Sequence, residues 1–205
     1  MGQETHCFVQ SGGRRVKGKA LLETAELLFR PADRGARVKI PFAAIKRVKA
    51  VDGELRIETA DGRTVFELGA AAKKWCQKIL HPKTRSEKLG IKPGITVSLV
   101  GEFDPEFLRE QRQATKNIHY GKIEASSDLI FFSADATSQL ATLGKITKSM
   151  NGATALWIVY PKGKKEITEN DVISAGRKAG LKDVKVVGFS ATHTALKFVV
   201  PVAQR

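Results

Sequence analysis

The side chains in this sequence that can bind a charged ligand are cations, and they gather at two places. Ser11-Gly12-Gly13 is followed at once by Arg14, Arg15, Lys17 and Lys19. Four cations beside a glycine turn can hold a phosphate, an anionic headgroup or an acidic peptide. A basic strand edge that discourages sheet pairing has the same composition, so both readings stay open. The second place is Tyr160-Pro161-Lys162-Gly163-Lys164-Lys165, where Lys162, Lys164 and Lys165 leave a strand and can present amines to an anion. A solvated lysine loop is the alternative there. Ser133-Ala134-Asp135 leaves another strand, and Asp135 suits the N-cap of the next helix better than an acid catalyst.

No catalytic constellation accompanies these cations. Cys7 and Cys76 lie far apart among apolar neighbours and are expected in the core. His6, His81, His119 and His193 are scattered, with no i, i+4 pair of the kind that holds zinc, so no metal is expected. The strand Ile95-Thr96-Val97-Ser98-Leu99-Val100-Gly101 runs into Glu102-Phe103-Asp104-Pro105-Glu106 rather than a glycine-rich turn. Asp104 is placed to cap the following helix, Pro105 fits its first position, and the three carboxylates repel an anion. A nucleotide-type cofactor is therefore not expected.

The composition sets wider bounds. The 205 residues are 42% hydrophobic and carry a net charge of +14, enough to attract an acidic protein, an anionic lipid headgroup or nucleic acid. Residues 1–85 hold 18 basic and 9 acidic side chains, a net +9, against 17 and 12 in the remainder, a net +5. The first six residues lack the apolar stretch of a leader, and no run of about 18 apolar residues occurs, which points to the cytoplasm.

The elements that must position these groups change period once. Up to about residue 68 the chain alternates and turns, as in Glu54-Leu55-Arg56-Ile57-Glu58 and the Asp52-Gly53 and Asp61-Gly62 pairs. About seven short strands are expected, near 6–9, 16–22, 26–30, 37–40, 45–51, 54–58 and 63–68. Ala72, Trp75, Cys76, Ile79 and Leu80 then fall on one face of a helix over 69–80, with lysines opposite. His81-Pro82-Lys83-Thr84-Arg85-Ser86-Glu87-Lys88 is polar and is the expected linker. Beyond it, strands and helices alternate. Helices are expected over 104–116, over 138–150 and after the capping pattern Thr168-Glu169-Asn170-Asp171. Strands are expected at 128–133 and 155–160, and 183–189 with 196–200 as a closing antiparallel hairpin.

Seven strands closed by one amphipathic helix, with the runs Gly18–Arg30 and Ile40–Val48, resemble a pleckstrin-homology or GRAM-type domain. That resemblance implies a small antiparallel barrel plugged by its helix, Trp75 in the core, and an anion-facing first inter-strand loop at Arg14, Arg15, Lys17 and Lys19. Residues 86–201 resemble the sheet of S-adenosylmethionine-dependent methyltransferases and, more closely, the bacterial domain of unknown function 3052. The residues that carry this are Leu89-Gly90-Ile91-Lys92-Pro93-Gly94, Ala155–Lys162, Gly180–Lys185 and Leu196–Val199. It implies a shortened, doubly wound Rossmann-like α/β sheet lacking the cofactor loop.

The expected organisation is thus a pleckstrin-like β barrel with its helix over 1–82 and a shortened methyltransferase-like α/β domain over 83–205. The expected role is that of a bacterial-type cytosolic, non-catalytic adaptor or anion-binding module without a cofactor. The alternatives are a divergent S-adenosylmethionine-dependent methyltransferase using a pocket in the second half, and a weak nucleic-acid or anionic-membrane binder.

Overall fold

The computed structural model describes residues 3–33 and 35–204, with only the backbone of Gln204. The opening Met1-Gly2 pair of the segment searched for a leader lies outside them. They divide into two compact units, Met1–Lys83 and Thr84–Arg205. No described helix is long and apolar enough to cross a membrane.

The first unit is one antiparallel sheet of β1 (Gln3–Ser11), β2 (Arg14–Leu22), β3 (Glu26–Pro31), β4 (Val38–Pro41), β5 (Arg47–Val51), β6 (Glu54–Thr59) and β7 (Gly62–Glu67). The spatial order is β4-β3-β2-β1-β7-β6-β5. Period-two alternation places Val16, Gly18, Ala20 and Leu22 of β2 on the inner side and Arg15, Lys17 and Lys19 on the outer. The sheet curls into a half-barrel: Phe29 of β3 meets Phe66 of β7 edge-on, with ring centroids 6.3 Å apart. Helix α1 (Ala71–Leu80) packs against β5 and β6 and buries Ala72, Trp75, Cys76 and Ile79 in the same core. Cys7 and Cys76 are both free and buried, and burial pushes the Cys7 thiol up to about 11. One turn is displaced from its expected place. It is centred on Ala60 and Asp61, with Thr59 opposite Gly62, and the Thr59 hydroxyl accepts from the Asp61 N–H.

The second unit is built on α2 (Arg85–Leu89), β8 (Thr96–Val100), α3 (Pro105–Ala114), β9 (Asn117–Tyr120), β10 (Leu129–Ser133), α4 (Leu143–Lys148), β11 (Ala155–Pro161), α5 (Glu169–Lys178), β12 (Lys182–Gly188) and β13 (His193–Val199). Its sheet runs β12-β13-β11-β10-β8-β9, with β9, β8, β10 and β11 parallel and β13 antiparallel to β11 and β12. The central strands are buried on both faces. Phe131 and Trp157 enter one core with Phe107 of α3, while Ile130, Phe132, Leu156 and Ile158 enter the other with α4 and α5.

Three expectations are corrected here. The linker ends earlier than expected: Thr84 caps α2 through its side chain, and the Glu87 carboxylate accepts from the Thr84 N–H at 2.7 Å. This capping box turns the last four residues of the polar stretch, with Leu89, into a helix. The helix expected over 138–150 is a 3-10 segment, Thr137–Thr142, followed by α4, with Leu140, Leu143 and Ile146 buried. Strand β9 was not expected; it is four residues long and forms the edge beside β8.

Candidate functional site

Ligands of open parallel sheets bind outside the C-terminal strand ends, where the strand order reverses. Here that point lies between β8 and β10, and it is filled. Gly101, which follows β8 with φ of +97°, lies so close to β10 that a Cβ on it would stand 2.9 Å from the Ser133 carbonyl oxygen. The next helix end is closed by its own residues: the Asp104 side chain accepts from the Phe107 N–H at 2.7 Å, with Pro105 at the first helical position.

Arg85, whose side chain is 12% exposed, completes the closure. Its guanidinium donates to both oxygens of Asp104 at 3.2 and 3.3 Å and to Glu110 at 2.8 Å. It also donates to the Phe189 carbonyl at 3.2 Å and lies within 5.3 Å of the ring centres of Phe107 and Phe189. Four of the five guanidinium N–H donors of Arg85 are thus taken within the fold, and the surrounding carboxylates repel a cofactor carboxylate. Sequence reasoning placed Arg85 in the linker; the only available signal was the Thr84-x-x-Glu87 cap that starts its helix.

In the lysine loop after β11, one of the three candidate amines is taken within the fold. The Lys162 amine donates to the Ser190 carbonyl at 2.6 Å, and the Lys162 N–H donates to the Thr192 carbonyl at 2.8 Å. Lys162 therefore ties β11 to the turn between β12 and β13, whereas Lys164 and Lys165 are exposed. Asp135 is not the cap that was expected. The Gln139 side chain accepts from the N–H groups of Asp135 and Ala136 at 2.6 and 3.0 Å, leaving the carboxylate of Asp135 outward. That carboxylate stands 3.8 Å from Nε2 of His193, whose Nδ1 meets the Thr192 hydroxyl at 2.9 Å. At the end of β11, burial and then Glu169, which accepts from the phenol at 3.1 Å, push the Tyr160 hydroxyl up.

The basic turn is split. Arg15 lies 3.6 Å from the Phe8 ring centre and forms a two-point pair with Glu67 at 2.7 and 2.8 Å, which holds the Glu67 carboxyl below the usual carboxylate range. Lys19 is paired with Glu4 at 2.6 Å. Lys17 is exposed on the same outer face, opposite Phe8. Arg14 and Arg63 have no ion-pair partner among the described residues, and with Gly12, Gly13, Arg15 and Glu54 they line a concavity of about 540 Å³. Arg63 joins the site because β7 pairs with β1, a long-range pairing that local spacing does not report. Among the described residues no three His, Cys, Asp or Glu side chains come together to hold a metal ion.

One buried group sits outside both places. Gln111 of α3 is 0% exposed, and neither of its amide atoms finds a partner among the protein's own groups. An unpaired buried amide costs about 1–3 kcal/mol, so Gln111→Met, similar in volume, is expected to stabilise the fold by about 1 kcal/mol in urea unfolding. An unchanged or lower midpoint would place a partner at the amide.

No protein-family model matches the chain, and no curated protein matches it in sequence. Among solved structures, a SAM-dependent methyltransferase from Aquifex aeolicus is similar over 56% of this chain and 87% of that one, at 16% identity and a TM-score of 0.46. A methyltransferase from Pyrococcus furiosus is similar over 58% and 80%, at 15% identity and a TM-score of 0.39. The C-terminal domain of an unknown protein from Leishmania infantum is matched over 31% of this chain and 64% of that one, at 20% identity and a TM-score of 0.27. The chain thus spans less than two thirds of the Leishmania domain. Its own fold is described by the strand orders given above, and these partial likenesses assign it no activity.

Proposed function

We propose that the chain is a cytosolic, non-catalytic anion-binding module: a pleckstrin-like half-barrel carrying the anion site, followed by a methyltransferase-type sheet that takes no cofactor at its reversal point. The observation that carries this reading is the closed end of α3, where Asp104, Pro105 and Arg85 occupy the place a cofactor's anionic part would need. The seven-strand order with α1 against its core supports the pleckstrin-like or GRAM-like assignment of the first unit. The order β12-β13-β11-β10-β8-β9, with its terminal antiparallel hairpin, supports the shortened methyltransferase-like sheet resembled by domain 3052. Two free thiols suit a reducing compartment. The concavity at Gly12, Gly13, Arg14 and Arg63 is the anion site of this reading, with Lys17 beside it on the outer face.

The second reading is a divergent S-adenosylmethionine-dependent methyltransferase, and the Aquifex and Pyrococcus neighbours, both methyltransferases, fit it better than the non-catalytic one. Calorimetry and thermal unfolding separate the two. Millimolar S-adenosylmethionine is expected to leave the melting temperature unchanged; saturable binding with a clear upward shift would reverse the order of the readings. On the anion side, retention on heparin or on anionic liposomes at low salt is expected to fall sharply for Arg14→Ser/Arg63→Ser, each cation near an anionic surface contributing about 1 kcal/mol. It should change less for Lys164→Ser/Lys165→Ser. Equal losses from both pairs would assign the attraction to net charge alone.

A further inference from the structure

A hollow of about 300 Å³ opens at the C-terminal ends of β8 and β9, beside the filled reversal point and independent of the first unit. Its existence follows from the shortened topology. The chain passes from β9 to β10 through residues 121–128 with no helix between, and the hollow lies between this connection and α4. The connecting loop is pinned. The Gly121 N–H donates to the Leu99 carbonyl at 2.8 Å, and the Glu124 N–H donates to the buried Ser98 hydroxyl at 3.0 Å. Ser98 in turn meets the Ser127 hydroxyl at 2.7 Å.

The lining has two chemistries. Val100, Ile123 and Ile146 belong to the core beneath α4 and give an apolar floor. Lys122 of the loop and Lys145 of α4 line the same hollow together with Ser149, and among the described residues no carboxylate lines it. Two lysines lining a hollow with an apolar floor favour a ligand with an anionic head and a small apolar body. They disfavour a sulfonium cation such as that of S-adenosylmethionine. We propose that this hollow binds a small organic anion of that kind, an aryl or short alkyl phosphate or carboxylate, on Lys122 and Lys145.

The test is a titration of the nitrogen-15-labelled 205-residue chain with 1-naphthyl phosphate, with inorganic phosphate and 1-naphthol as its two halves. Saturable amide shifts at Lys122, Ile123 and Lys145 are expected with a Kd of about 1 mM or below, with both halves binding at least about tenfold more weakly. Lys122→Ser/Lys145→Ser is expected to weaken the aryl phosphate at least about tenfold. Ser149→Trp, an exposed position whose indole would fill the hollow, is expected to abolish binding with the fold intact. Absence of saturable shifts, shifts located elsewhere, or affinity untouched by the lysine pair would overturn the proposal. So would inorganic phosphate matching the aryl phosphate, since the apolar floor would then contribute nothing. The arginine pair Arg14 and Arg63 should leave this titration unchanged, so failure here and failure of the anion site in the first unit are read separately.

Discussion

Gly176→Ala is expected to destabilise the α/β unit by roughly 1–3 kcal/mol, the range typical of forcing extra volume into a packed core. The sign opposes helix propensity, which favours alanine over glycine within a helix by about 0.5–1 kcal/mol. Gly176 is a buried position of α5, and a Cβ there would overlap Cε1 of Phe198 and stand 2.6 Å from its Cζ. Phe198 is 0% exposed in β13, between β11 and β12, so its ring has nowhere to retreat without moving the strand. Urea unfolding checks the value. The same substitution in a Phe198→Leu background is expected to cost less than half as much, because the two nearest atoms it strikes, Cε1 and Cζ, are gone. An alanine that is neutral or stabilising in the native background would show that α5 and β13 are not held at this separation.

Arg85→Ala is expected to cost roughly 2 kcal/mol, since it strips a nearly buried cation from two carboxylates and a carbonyl at once. The figure is kept below the 3–5 kcal/mol or so of a fully buried pair because Asp104 and Glu110 are themselves 36% and 32% exposed and water can reach them. Arg85→Lys should recover only part of the loss, an ammonium being unable to address both Asp104 oxygens, Glu110 and the Phe189 carbonyl together. Arg112→Ala, which removes only an exposed cation beside Tyr120, should change stability by less than about 0.5 kcal/mol. Equal effects of the two alanine variants in urea unfolding would refute the special place given to Arg85.

The elements that sequence made plain are those whose signal is local. Alternation over Glu54–Thr59, the apolar face of α1 and the Asp104-Pro105 helix start each rest on neighbours within a few residues, and each is where it was expected. Strand β9 escaped because four residues give alternation no length in which to show. The Asp135 cap failed because Gln139, four residues on, competes for the same N–H groups with a longer side chain. Of the candidate site, the cations themselves were legible and their pairing was not. Glu67 reaches Arg15, and Ser190 holds the Lys162 amine, through strand pairings far apart in the chain, while Glu4 reaches Lys19 across the β1–β2 hairpin. The hollow beneath Lys122 and Lys145 had no sequence signal beyond the shortness of the stretch between Lys116 and Asp128.

The strand order of the half-barrel has a consequence for how it can assemble. Written as β5-β6-β7-β1-β2-β3-β4 it is a plain up-and-down meander, so the native chain is a circular permutation of that path, entering it in the middle. Each of its two runs, β1 to β4 and β5 to β7, can zip from hairpins as it emerges. The central seam joins partners such as Gln10 and Glu67, 57 residues apart. Closing that loop brings no pairing until its last strand is present, so the seam, and not any hairpin, is the slow step in forming this sheet. The first four strands must meanwhile wait with the inner edge of β1 unpaired until residues 64–67 arrive to cover it.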